Sequence, residues 1–147
     1  MSNQLQDNMQ TKLNHIFLTT KGNTDILDIT QQVTECIRSS NLSNGLVTIF
    51  CPSSTSGVTT IEYEPGVLQD LRRVFEKTIP QGELYQHDEA WHDGNGHSHI
   101  RAAILKASLT IPLVDGRMTL GTWQQIVYID FDIRPRKREI IIQIIGE

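Results

Sequence analysis

Between Tyr85 and Ile100 the chain reads YQHDEAWHDGNGHSHI. The whole sequence holds 5 histidines, and His87, His92, His97 and His99 all fall in this segment. Asp88, Glu89 and Asp93 are interleaved with them, and Gly94, Asn95 and Gly96 loosen the backbone. Imidazoles and carboxylates gathered in this way can ligate a divalent ion, exchange protons, or decorate a polar loop. A zinc-type site needs neutral imidazoles or carboxylates converging to about 2.0–2.2 Å from one point. His97 and His99 can both reach such a point only from extended backbone, because positions i and i+2 diverge on a helix. If a helix starts near Gly96, one of the two turns inward, and His99 is favoured because it shares a helical face with Ala102 and Ala103. His87, with Asp88 beside it, approaches from the far side of the loop. His87 and His99, with His97 third, are therefore the candidate ligands for a zinc or magnesium ion. The spacing matches no standard zinc signature, so a solvated polar loop stands as the competing reading. His15, alone in an apolar strand, reads as structural, and His92 beside Trp91 as a loop residue.

A second group of residues has anion chemistry. Ser53, Ser54 and Thr55, followed by Ser56-Gly57, form a small hydroxyl-rich run that can offer N–H groups and hydroxyls to phosphate. It lacks the Gly-Lys-Ser/Thr of a P-loop, and a flexible turn explains it equally well. Arg134, Arg136, Lys137 and Arg138 are the main basic cluster. They form either a solvated hairpin tip or a phosphate clamp using bidentate guanidinium geometry. Glu62 sits on a strand face with Val58 and Thr60 and is expected to point into a partly buried space, as ligand, acid/base or ion-pair partner. Nothing around Cys51 marks it as a nucleophile.

The elements that must position these groups alternate along the chain. Residues 1–12 are polar and read as a disordered tail, and 13–147 as one domain. LNHIFLTT (13–20) is a strand ended by Lys21-Gly22-Asn23. Asp28 and Thr30 offer capping oxygens to a helix with Val33, Cys36, Ile37 and Ser40 on one stripe. LVTIFC (46–51) and VTTIEYE (58–64) read as strands. Pro65-Gly66 opens a helix whose Val67, Leu68, Leu71, Val74 and Phe75 share a face, and Pro80 ends it. HIRAAILKA is helical, with Asn95 as N-cap. From Ser108 the pattern is β: SLTIPLVDGRMTL with an Asp115-Gly116 turn, an alternating WQQIVYIDF, and KREIIIQII after a loop at 132–137. Pro112 hints at an edge or bulge. The sum is an α+β domain, a β-rich antiparallel sandwich or distorted barrel with two or three helices.

Composition limits the setting. At 147 residues, 38% hydrophobic and 20% charged, the chain can bury a core. A net charge of −4 gives no electrostatic footprint for nucleic acid. No apolar run is long enough to span a bilayer, and MSNQLQDNMQTK lacks the apolar stretch of a signal peptide. The 2 cysteines make no disulfide framework, which favours a cytoplasmic setting.

The block Ser108-x-x-Ile111-x-Leu113-x-x-Gly116-x-x-x-x-Gly121-Thr122-Trp123-Gln124-x-Ile126 resembles the signature of the YjbQ-like family. Asp28-Ile29-Thr30, Asp70-Leu71, Tyr85-x-His87-Asp88, Gly94-Asn95, His99 and Arg136-x-Arg138 with Gln143 extend the resemblance over nearly the whole chain from about residue 14. It implies a compact β-rich α+β fold, a homotrimer with clefts between subunits, and a reported secondary activity as thiamine-phosphate synthase. That reaction joins a hydroxymethylpyrimidine diphosphate to a thiazole phosphate and releases diphosphate. On this picture His87, His99 and Glu62 hold or orient a metal, Arg136 or Arg138 binds phosphate, Gln124 and Asn95 orient substrate, and Ser108 supplies a nearby hydroxyl. The chain departs from the family pattern at Ser53, where many members carry histidine. Whatever that histidine does there is missing here or passes to another group. The alternative is a non-catalytic metal- or phosphate-binding protein.

Overall fold

Residue-by-residue pairing of the first and last strands frames the molecule. In this computed structural model, which describes residues 8–147, β1 (Gln10–Thr20) runs antiparallel to β8 (Arg136–Gly146), from Gln10 opposite Gly146 to Thr20 opposite Arg136. Residues 10–12 therefore belong to the domain rather than to a disordered tail, because their backbone groups are taken up by Ile144–Gly146. Residues 1–7 of the expected tail lie outside the described residues. Between these strands come β2 (Asp25–Asp28), α1 (Thr30–Ser40), β3 (Gly45–Phe50), β4 (Ser56–Ile61), α2 (Pro65–Thr78), α3 (Gln86–Trp91), α4 (Gly96–Leu105), β5 (Ser108–Val114), β6 (Arg117–Met118) and β7 (Gln125–Asp130).

Two antiparallel sheets result, one ordered β1-β8-β3-β5-β6 and one ordered β2-β7-β4. The α+β architecture matches the expectation, with four helices among the described residues instead of two or three. The extra one is α3, which forms inside the histidine segment and was hidden by its lack of any buried position. β2 was also hidden, being only 4 residues long.

One core lies between the sheets and under α1. It is built from Val33 and Ile37, Val47 and Ile49, Ile126 and Tyr128, and Ile140, Ile142 and Ile144. A second core lies on the other face of the small sheet, where Val127, Ile129 and Phe131 meet Leu68 and Phe75 of α2 and Ala102 of α4. Phe75 and Phe131 meet edge to face, with ring centroids 4.9 Å apart. β7 is consequently buried on both faces, from Ile126 to Asp130. The expected polar/apolar alternation fails there because helices cover the face that would otherwise meet water.

The helix starts follow local chemistry. Glu64 caps α2 by accepting the N–H groups of Gly66 and Val67 at 2.8 and 2.9 Å, with Pro65 at the position where a missing N–H costs nothing. Of the predicted α2 face only Leu68 and Phe75 are fully buried, and Val74 is exposed. Pro112 lies in β5, opposite Leu46 of β3. The outer neighbour β6 pairs only with Leu113 and Val114, so most of β5 is an open edge that tolerates a missing donor. Cys36 and Cys51 are both free. No helix among the described residues is long and apolar enough to cross a membrane.

Candidate functional site

The histidine segment folds as two short helices, α3 and α4, joined at Asp93–Asn95. Their junction is tied down by carboxylates. Asp88 Oδ1 accepts the Gly96 N–H at 2.9 Å, and Asp93 Oδ1 accepts the Asn95 N–H at 3.0 Å. Gly96 is required at this crossing, since a Cβ there would lie 2.3 Å from the Tyr85 Cβ. His87 comes to 3.4 Å from the Asp93 carboxylate, and its ring centroid lies 4.4 Å from that of His99. Ligand atoms of His87, Asp88 and Asp93 all lie within 4.8 Å of one another. The bond from Asn95, then the neighbouring His87, holds the Asp93 carboxyl below the usual carboxylate range.

His97 turns the other way. It is 1% exposed, its ring centroid is 6.4 Å from that of Tyr85, and its Nδ1 has no hydrogen-bond partner. Burial, then Arg101, pushes its pKa down. The structure thus brings His87 and His99 together and leaves His97 out of their cluster. His15, on β1, meets Glu139 at 2.6 Å on the outside of the large sheet.

A cleft of about 390 Å³ opens beside His99. Ser53, Ser54 and Thr55 form one wall, Asp93, Asn95 and His99 another, and Asp132, Arg136 and Arg138 the third. The basic cluster is no hairpin tip, since Arg136 and Arg138 lie in β8 opposite Thr20 and Leu18 of β1. Arg138 is mostly buried, with 14% of its side chain exposed. It grips the fully buried Asp130 through Nε (2.7 Å) and Nη2 (2.9 Å), and its Nη2 also donates to Thr55 Oγ1 at 2.8 Å. Arg136 is 42% exposed and keeps one partner among the described residues, Asp132 at 3.0 Å. Burial opposes the charge on Asp132, but bonds from the Arg136 side chain, the Arg134 N–H and the Asn95 amide outweigh it and hold its carboxyl below the usual range.

The hydroxyl-rich loop divides similarly. Thr55 is buried, and its hydroxyl is held between Arg138 and Asp132. Ser53 and Ser54 line the cleft with more exposure. Asn95 stands at the N-cap position of α4, yet its Oδ1 accepts from the Ser98 hydroxyl (2.8 Å) and the Ile133 N–H (3.2 Å) rather than capping the helix. Cys51 is buried, and its thiol is pushed up to about 12 by that burial, which makes a thiolate nucleophile untenable.

Ser108 and Gln124 do not line this cleft. They share a separate concavity of about 260 Å³ with Thr60, Thr110 and Lys106, where Gln124 donates to Thr60 Oγ1 at 2.9 Å. A middle concavity of about 330 Å³, bordered by Ser53, Ser54, His99, Ala102, Ala103 and Lys106, shares Ser53, Ser54 and His99 with the first and Lys106 with the second, so the three adjoin in a row as a trough divided at these residues. Glu62 falls beyond the end of β4 and is exposed rather than partly buried, outside all three concavities. The strand stops at Ile61, where the chain turns to cap α2. Sequence reasoning missed Asp132 and Lys106. Asp130-x-Asp132 and Arg136-x-Arg138 have matching two-residue spacing, a signal of paired acids and arginines that was available. Lys106 gave no signal, because only its backbone conformation sets it apart.

The geometry has relatives. The pattern described as "UPF0047 protein YjbQ-like" matches residues 14–147. A UPF0047 protein of Archaeoglobus fulgidus is 37% identical over 126 residues, 86% of this chain and 95% of that one. One from Methanothermobacter thermautotrophicus is 34% identical over 139 residues, covering 95% of each. Among solved structures, a YbjQ-like protein of unknown function from Sulfolobus solfataricus superposes with a TM-score of 0.89 at 29% identity, covering 95% of this chain and 99% of that one. A YjbQ/UPF0047 family protein of Clostridium acetobutylicum gives 0.82 at 33% identity, covering 89% and 98%. A match over this much of the chain, at these identities and with the same fold, makes the protein a member of the UPF0047 (YjbQ-like) family.

Proposed function

We propose that the trough binds a small phosphorylated molecule and that the protein acts as a transferase of the thiamine-phosphate-synthase type, joining a hydroxymethylpyrimidine diphosphate to a thiazole phosphate. The observation that carries this reading is Arg136. Its half-exposed guanidinium has a single acidic partner among the described residues and shares a cleft with Ser53, Ser54 and His99, so donor positions are left for a phosphate. Arg138 acts behind it as a positioning residue. By holding Asp130 and Thr55 it fixes the floor on which Arg136 and Asp132 sit.

The donor set around His87 fits a divalent ion. Ligand atoms of His87, Asp88 and Asp93 lie within 4.8 Å of one another and the His99 ring stands 4.4 Å from that of His87, and a mixed nitrogen–oxygen set suits zinc better than magnesium. Such an ion supplies charge neutralisation for a leaving diphosphate. The chain's own contribution is to bind: Arg136 and the Ser53–Ser54 hydroxyls take phosphate oxygens, and the Ala102–Ala103 wall takes an apolar ring. Assembly as a homotrimer is part of the same reading. Leu13 and Phe17 of β1, Leu46 and Phe50 of β3, and Ile145 of β8 are exposed large apolar side chains of the five-stranded sheet, which further copies of the chain would cover.

A second reading, a metal- or phosphate-binding protein without turnover, is favoured by one feature: both cleft carboxylates, Asp93 and Asp132, are held below the usual range, so neither is poised to accept a proton near neutral pH. The test is to purify the protein without chelators, measure bound metal, and assay thiamine phosphate formation with and without it. Metal-dependent turnover supports the transferase. Phosphate binding with no turnover under either condition leaves the binding protein.

A further inference from the structure

Lys106, the residue that ends α4, has φ 88° and ψ 153°. This part of conformational space is essentially glycine-only, because a Cβ there crowds the neighbouring peptide groups. The surroundings hold the lysine in it. Its N–H donates to Ala102 O at 3.0 Å, its carbonyl accepts from the Val58 N–H at 3.2 Å, and Ala107 O accepts from Cys51 N–H at 2.7 Å. Gly57 makes the approach possible, since a Cβ on it would lie 2.5 Å from the Lys106 carbonyl oxygen. All of these restraints act on backbone and would be met equally well by glycine. The side chain is therefore not what the turn requires, and its presence raises the question of what it does.

Its place suggests the answer. Lys106 borders both the middle and the far concavity of the trough, between a floor of Ala102, Ala103 and Ala107 and the hydroxyls of Ser108 and Thr110. It has no carboxylate partner among the described residues, and neither concavity is lined by an acid. Strained backbone kept at a cleft, where the fold itself does not need the side chain, is the pattern of a functional position.

We propose that Lys106 contacts the ligand, binding a second anionic group of a molecule whose phosphate is held at Arg136. The ligand class is then a small phosphorylated compound with a flat apolar middle lying over the alanines and a negative charge at its far end, a charge that neither substrate of the thiamine-phosphate-synthase reaction carries, so this ligand belongs with the reading of the trough as a phosphate-binding site. This rests on the reading of the Arg136 cleft as a phosphate site.

The probes are phenyl phosphate and 4-carboxyphenyl phosphate, titrated into wild type, Lys106→Gly, Lys106→Gln and Lys106→Arg. Wild type is expected to favour the carboxylated probe by about tenfold, the order of one charge-assisted contact. Lys106→Arg keeps the preference, and Lys106→Gly and Lys106→Gln lose it while binding phenyl phosphate as before. Lys106→Gly should also melt at a higher temperature than wild type, since it removes the strained Cβ. A preference that survives in Lys106→Gln, or is absent from wild type that binds phenyl phosphate, overturns the assignment of Lys106 and leaves the Arg136 cleft standing. A Lys106→Gly protein no more stable than wild type overturns the strain argument. Folded wild type that binds neither probe overturns the phosphate cleft, and this inference with it.

Discussion

Arg138 and Asp130 form a two-pronged ion pair in which the carboxylate is fully buried and the guanidinium nearly so. Two residues away, Arg136 meets Asp132 through a single contact at 3.0 Å and remains 42% exposed. The two arginines thus differ in how far the fold commits them, Arg138 wholly and Arg136 in part, and each should fail in its own way when changed.

For Arg138, removing one partner of a buried pair leaves an uncompensated charge, at a cost of about 3–5 kcal/mol. Arg138→Met should lower stability by that order in chemical denaturation, and Arg138→Lys should also be destabilised because a lysine cannot reproduce the fork. An Arg138→Met protein as stable as wild type would show that the pair does not form.

For Arg136, the loss falls on ligand. Arg136→Lys keeps the charge but changes its geometry. It should weaken phenyl phosphate binding by about ten- to hundred-fold by calorimetry, with the unfolding midpoint nearly unchanged. Equal affinity in the two proteins would remove Arg136 from the site.

Metal content provides a third check. His87→Ala, His99→Ala and Asp93→Asn should each lower the zinc retained after purification, measured by elemental analysis. His15→Ala and His92→Ala should not, because His15 pairs with Glu139 on the outer sheet and His92 lies exposed past the end of α3. Unchanged zinc in a His87→Ala, His99→Ala double variant removes the metal site from this segment.

Asp132 sets an acid limit. Its folded-state carboxyl lies below the ordinary 3.8, so the folded state gives up this proton more readily than the unfolded chain. The stability it contributes is present above about pH 4 and is lost as pH falls through the folded value. The stability gap between wild type and Asp132→Asn should accordingly be constant from neutrality down to that point and close below it. A gap independent of pH down to acid unfolding would contradict the assignment.

Light scattering tests assembly. The wild-type protein should run as a trimer at micromolar concentration, and Phe17→Glu, at a position 74% exposed in the single chain, should shift it toward monomer. A monomeric wild type removes the claim.

Much of this was legible in the sequence because local rules wrote it there. Pro65-Gly66 after Glu64 marked the start of α2, Asp115-Gly116 marked the β5–β6 turn, and the crowding of histidines and carboxylates marked the segment where His87 and His99 come together. What was not legible depended on contacts distant in sequence. Arg138 reads as a surface cation until β8 is placed beside Asp130, and Glu62 reads as half-buried until β4 ends one residue before it. The double burial of β7 also requires knowing that α2 and α4 return to cover its second face.

That doubly covered strand has a consequence for how the molecule comes apart. Val127, Ile129 and Phe131 belong to one core and Ile126 and Tyr128 to the other, so neither core can open without exposing a face of β7. The two layers should therefore melt as one cooperative unit, with coincident transitions reported by far-ultraviolet and tyrosine signals. The amides of Ile126 to Ile129 should exchange with solvent only through global unfolding, on the slowest timescale of the chain.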